Sequence, residues 1–251
     1  MTEAPPSSLA LYVHWPYCAR ICPYCDFNVV RDRGRVEEQA GLVRAILADM
    51  EAQSRLVGPR RLASIFFGGG TPSLMPPEAV AAVIARAKTL FPPIDEIEVT
   101  LEANPTDTEA GRYAALAAAG INRLSMGVQS FDDAALEFLG RDHSAAEARR
   151  AIGLAGRVFP RLSIDLIYAR PGQSVADWTA ELATALEREA PHSASRAALR
   201  TQVDAEIVAM KQQMQLLRSA LDGQRLPLHR SRGASVGGVW PRLFALEAPR
   251  A

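Results

Sequence analysis

Residues 9–25 read LALYVHWPYCARICPYC. The first seven form a short apolar run that suits a strand buried in a parallel sheet, and Pro16 ends it. Directly behind it come Cys18, Cys22 and Cys25, the only three cysteines among the 251 residues. Three thiols packed so closely cannot tie distant parts of a fold together. An odd count also speaks against a secreted disulfide framework. A Cys-x3-Cys-x2-Cys loop at a strand end reads instead as a metal site.

Working outward, four more runs repeat the strand pattern: LASIFF (62–67), EIEVTLE (96–102), NRLSMGV (122–128) and RLSIDLIY (161–168). Helical faces lie between them, carried by Val36, Ala40, Val43, Leu47 and Met50, then by Val80, Val83, Ala87 and Leu90. A last face follows with Val175, Trp178, Leu182 and Leu186. Thr106 with Glu109 predicts a capping box before the third helix, and Gly120 stands where a helix C-terminal glycine belongs. Repeated β-α units without hairpins predict an α/β fold whose parallel sheet is covered by helices.

The polar motifs all follow strands. CARICPYC follows the first, GGGTP (68–72) the second, EANP (102–105) the third and QSFDD (129–133) the fourth, while Asp165 lies inside the fifth. In a β/α barrel the C-terminal strand ends share one face, where chemistry collects. A dinucleotide-binding sheet would gather its contacts at a single switch point. Five dispersed motifs therefore predict a barrel-type core over residues 1–189.

After residue 189 the text changes. EREAPHSAS (187–195) is a polar break, and residues 196–222 form one helical pattern with Leu199, Val203, Ile207, Met210, Met214, Leu217 and Leu221 on a seam. That seam suits self-association or docking over the open edge of a five-stranded sheet. Residues 225–251 carry five arginines with little periodicity and read as a loosely ordered tail. The second segment is thus 190–251, an added helix and a basic tail.

Composition excludes several functions. Lys+Arg and Asp+Glu are 28 each, so no global field draws the chain to nucleic acid or an anionic membrane. No apolar run approaches the ~18 residues of a membrane span, and the N-terminus lacks the pattern of a signal peptide. A cytoplasmic protein is the simplest expectation.

Three thiolates on one loop can hold three irons of a [4Fe–4S] cluster and leave the fourth open. That iron can chelate the amine and carboxylate of S-adenosylmethionine, and an electron from the cluster can then break the sulfonium C–S bond to give a 5′-deoxyadenosyl radical. The alternative is a zinc site with His14 as fourth ligand to the three cysteines, supporting an interaction module. Structural zinc normally uses two ligand pairs separated by a longer loop, and His14 lies within a strand. Neither His14 nor His143 sits in a recognisable acid/base pair, and both read as hydrogen-bonded structural residues. Asp95, Glu96 and Glu98 read as a solvated loop and strand edge.

Taken together, YVHWPYCARICPYCDFN, FFGGGTPSLM, LEANP, GINRLSMGVQSFDDAALEFLGRDHS and DLIYARPGQ resemble the radical S-adenosylmethionine proteins. Within them they are similar to the oxygen-independent coproporphyrinogen III oxidase and heme chaperone family. The resemblance covers about residues 9–189 and implies an incomplete (β/α) barrel that lacks the family's usual C-terminal part. It assigns Cys18, Cys22 and Cys25 to the cluster. It assigns Gly69, Gly70, Thr71, Glu102, Gln129, Arg141 and Asp165 to the adenosylmethionine, Tyr12 to the neighbourhood of the cluster and Tyr24 to the adenine. In the oxidase branch an additional cysteine follows the third by two residues, where this chain has Phe27. The resemblance is therefore nearer the heme chaperone branch. It implies heme or porphyrinogen as ligand, an electron donor protein and a heme-receiving protein as partners, with decarboxylation of coproporphyrinogen III as the enzymatic alternative.

Overall fold

The structure is a computed structural model that describes residues 7–107 and 110–189. By its internal contacts the chain divides into two compact units, with the division between Leu166 and Ile167. In the first unit β1 (Ser8–Trp15) leads into two-residue strands β2 (Tyr17–Cys18) and β3 (Val30–Arg31), which pair with each other. Then follow α1 (Val36–Val57), β4 (Arg61–Gly69), α2 (Pro77–Leu90), β5 (Pro93–Ala103) and α3 (Ala110–Ala118). The unit closes with β6 (Arg123–Gln129), α4 (Asp133–Phe138), α5 (Ala145–Val158) and β7 (Arg161–Leu166).

Strands β1, β4, β5, β6 and β7 form one sheet in that spatial order, every neighbouring pair parallel. Spatial and chain order coincide, so the sheet has no reversal of the doubly wound kind. This is the succession of a β/α barrel, with β1 and β7 at the edges of the five-stranded sheet.

Register sorts the side chains onto two faces. Val13, Phe67, Leu101 and Leu124 lie side by side, with Ile65 and Val99 behind them and Met126 and Ile164 ahead; all are buried. This face meets helices, with α2 against β4 and α5 against β6 and β7. The burial of Val80, Val83, Ile84 and Ala87 on α2 follows the periodicity read from sequence. On α5 the buried face is almost all alanine, and a Ser144–Glu147 capping box starts the helix.

The other face is polar. Arg123, only 7% exposed, donates to Glu98 Oε1 at 3.1 Å and to Ser163 Oγ at 3.2 Å, and Arg161 pairs with the second carboxylate oxygen of Glu98. Asp95 and Glu96 are exposed as expected, but Glu98 is not a solvated edge residue. Alternation along β5 turns it inward, where two arginines from the starts of β6 and β7 require a counter-charge.

Other differences are local. The strand expected over 161–168 ends at Leu166. Val36 is 72% exposed, Ala40, Val43 and Leu47 are half-buried, and Met50 is the one buried residue of α1, so its apolar face is only partly covered. Gly120 has φ 109° and closes α3 as expected, with Ile121 N–H reaching Leu116 O. The Thr106–Glu109 capping box includes a position outside the described residues, as do the 196–222 seam and the 225–251 tail.

In the second unit the described residues include α6 (Val175–Glu189), capped by Ser174 and Asp177. Trp178, Glu181 and Ala185 are its buried residues, while Val175 is exposed. Arg170 meets Glu181 at 2.8 Å, and the Tyr168 and Trp178 rings lie 5.6 Å apart. Among the described residues no helix is long and apolar enough to cross a membrane.

Burial raises the carboxyl pKa of Glu98, but Arg123, Thr100 and Arg161 outweigh it and hold it below its ordinary value. The contribution of Glu98 to stability is therefore full above the unfolded carboxylate pKa of about 4.3 and is lost as pH falls from there through the folded value. Urea unfolding of Glu98→Gln should show a loss of about 1–3 kcal/mol at pH 7, narrowing against the parent in acid.

Candidate functional site

The polar motifs meet at the C-terminal ends of the strands. The cysteine loop leaves β2 and returns at β3, closed at its base by Val30 N–H on Pro16 O at 2.9 Å and Asp32 N–H on Cys18 O at 2.7 Å. Within it, Cys25 N–H donates to Cys22 O at 3.0 Å. Pro23 occupies the second position of that turn, which its fixed φ suits. Cys18 is buried, and Cys22 and Cys25 are partly so.

The glycine turn after β4 is pinned beneath this loop. Gly70 N–H donates to Trp15 O at 2.7 Å and Thr71 N–H to Tyr17 O at 2.8 Å. A Cβ on Gly70 would lie 2.7 Å from the carbonyl oxygens of both Pro16 and Tyr17. Gly69 has φ 114° and gives its N–H to Glu102 Oε2 at 3.1 Å. Glycine is thus required at 70 for space and at 69 for conformation.

Arg141 joins the strand ends. Its Nη1 donates to Cys22 Sγ at 3.1 Å and reaches the Tyr24 hydroxyl at 3.4 Å; its Nη2 donates to Asn104 Oδ1 at 2.6 Å and Gly127 O at 2.8 Å. Asn104 Nδ2 donates in turn to Thr71 Oγ1 at 3.0 Å, and Thr71 faces Cys18, whose thiol pKa it lowers. Two of the three thiols are therefore linked through Thr71, Asn104 and Arg141.

Charges follow this layout. Burial raises the Cys18 thiol pKa, as do Cys25 and Cys22 nearby, against the lowering pull of Thr71 and Arg141. Ligation of metal there must release a proton. Burial raises the Tyr24 hydroxyl pKa above its ordinary value, keeping it a neutral donor. Burial lowers the Arg141 pKa, but Tyr24 and Cys22 outweigh it and keep the guanidinium charged.

Of the expected site residues, the structure brings Cys18, Cys22, Tyr24, Thr71 and Arg141 into one connected set, with Gly69, Gly70 and Glu102 beside it. Gln129 ends β6 with φ 68° and folds back over Gly127. Tyr12 and Asp165 lie on β1 and β7, the edge strands of the sheet. Tyr12 stacks on Phe66 and contacts His14, and burial followed by the Glu102 charge raises its pKa. Asp165 accepts from Ser125 Oγ at 3.2 Å.

Sequence reading gave no role of its own to Asn104 within the EANP motif, nor to Gly140, which has φ 68° and packs on Pro23. The motif itself was found by its place after a strand; what was missed is that Asn104 bridges Thr71 and Arg141.

The residues suit a bound cluster and a small zwitterionic cofactor. Cys22 and Cys25 lie near enough to Cys18 for their charges to raise its thiol pKa, and the Nε of Arg141 is buried without a partner. Both ring nitrogens of His14 are engaged, by the Tyr12 hydroxyl and by Asn28 O.

Residues 12–183 match the family model described as the radical SAM superfamily. The chain is 50% identical over 175 residues to radical S-adenosyl methionine domain-containing protein 1, mitochondrial, of Bos taurus, covering 69% of this chain and 39% of that protein. It is 41% identical over 196 residues to the heme chaperone HemW of Haemophilus influenzae, covering 76% and 51%. Among solved structures it is similar to coproporphyrinogen III oxidase (HemN) of Escherichia coli, with TM-score 0.65 and 26% identity over 74% of this chain and 43% of that one. The chain thus spans about half the length, or less, of these curated relatives.

Substitution separates the tight glycine from a free one. Gly70→Ala should cost about 1–3 kcal/mol, because the backbone it meets cannot yield. Gly153, in α5 with nothing within 4 Å of its Cβ position, should tolerate alanine with a gain of about 0.5–1 kcal/mol. Chemical denaturation of both variants checks the contrast.

Proposed function

The chain belongs to the radical SAM superfamily, and from that premise we propose that it holds a [4Fe–4S] cluster and S-adenosylmethionine at the strand ends and serves heme metabolism as a heme chaperone-type protein. Membership in the superfamily implies the cluster and the cofactor. When bound, the two supply one-electron radical chemistry that no protein side chain offers.

The protein's own residues bind and orient. Cys18, Cys22 and Cys25 are the cluster ligands. Gly69 and Gly70 bring backbone close to the bound cofactor, and Glu102 receives its amino group. Arg141 answers its carboxylate and offsets the negative charge of the thiolates. Gln129 and Asp165 offer an amide and a carboxylate to the ribose diol, and Tyr24 a ring to the adenine. Tyr12 belongs to the neighbourhood of the cluster. The single observation that supports this reading is the contact chain from Cys18 through Thr71, Asn104 and Arg141 to Cys22. It makes the cysteine loop and the strand ends one site.

Heme handling is supported by the 41% identity to a bacterial heme chaperone and by Phe27, which stands where the oxidase motif carries an additional cysteine. Phe27 is 41% exposed on the loop. An electron donor protein and a heme-receiving protein complete this reading.

Anaerobic reconstitution of the full chain followed by heme titration tests it. Roughly four irons and four sulfides per chain are expected, lost in Cys22→Ser, together with a saturable change in heme absorbance. Zinc without sulfide would overturn the cluster. Decarboxylation of coproporphyrinogen III would replace the chaperone reading with the oxidase.

A further inference from the structure

Strand β6 does not run straight to its end. Its register against β7 slips between Gly127 and Gln129, and Gln129 takes the left-handed conformation. A residue other than glycine stays there only where its surroundings hold it. The bulge turns the Gln129 amide back over Gly127, whose Cβ position lies 2.8 Å from Nε2.

Two side chains of the segment 140–143 grip this bulge at successive carbonyls. Arg141 takes Gly127 O. His143, 5% exposed, places Nε2 at 3.1 Å from Val128 O, which also accepts Ser130 N–H at 2.9 Å. Burial and then the Arg141 charge lower the imidazole pKa. A neutral ring facing a carbonyl carries its proton on Nε2. Its Nδ1 is buried without a hydrogen-bond partner and lies 4.0 Å from Asp142 Oδ1.

We propose that His143 is a positioning residue for Gln129: its Nε2–H bond to the Val128 carbonyl holds the bulge that presents the Gln129 amide to the cofactor. The inference rests on the reading of Gln129 as a cofactor contact. His143 acts through backbone and touches no cofactor itself.

Asparagine and glutamine separate this bond from simple packing, because the asparagine amide nitrogen mimics Nδ1 and that of glutamine mimics Nε2. In the reconstituted full chain, equilibrium dialysis measures the adenosylmethionine Kd. Gln129→Ala and His143→Asn should each weaken binding roughly tenfold, and His143→Gln should stay within about twofold of the parent. Exchange of the Ser130 amide with deuterium, read on the cofactor-free chain, should quicken in His143→Asn and not in His143→Gln.

Parent-like binding by His143→Asn alongside a weakened Gln129→Ala overturns the proposal. So does equal weakening by the asparagine and glutamine variants, which would mark a packing role, and so does an unchanged Ser130 exchange rate in His143→Asn. Parent-like binding by Gln129→Ala overturns instead the reading on which the proposal stands.

Discussion

The site depends on a backbone contact too close for any side chain. Gly70 and Thr71 donate their N–H groups to the carbonyls of Trp15 and Tyr17, and this lays the turn after β4 directly on the chain entering the cysteine loop. An added Cβ at 70 would collide with two carbonyl oxygens, so the contact exists only because the residue is glycine. From it follow the place of Cys18 beside Thr71, the position of Asn104 against Thr71, and the reach of Arg141 from Asn104 to Cys22. The parallel sheet makes this possible by ending all its strands on one edge.

The polar face of the sheet divides into two regions with different chemistry. At the starts of β6 and β7, Arg123 and Arg161 share Glu98 in a satisfied network, where the acidic partner is a counter-charge. At the strand ends Arg141 bonds Cys22, Asn104 and Gly127, while its Nε is buried without a partner. Buried polar networks are costly unless complete. The first region is structural, and on the proposed function the second is where a ligand would complete the bonding.

Much of this was legible in the sequence. The five strands were visible because each is buried on one face at least, and the motifs were visible because each follows a strand. What escaped was set by tertiary contact. Asn104 looks like any turn residue before a proline until Arg141 and Thr71 are seen on either side of it. Glu98 looks solvated in a run with Asp95 and Glu96 until strand alternation turns it towards Arg123. Gly140 has no pattern of its own, since its requirement comes from Pro23 across 117 residues of chain. The Gln129 bulge is equally silent, because a left-handed glutamine is the opposite of what local preference predicts.

The central claim is that the cysteine loop and the strand-end residues form one site. EPR of the reconstituted, reduced protein with and without S-adenosylmethionine tests it most directly. The account predicts a reduced-cluster signal whose g values change when the cofactor is added, because the cysteine loop would hold the cluster beside the strand-end residues that would hold the cofactor. A reduced-cluster signal indifferent to the cofactor would contradict it.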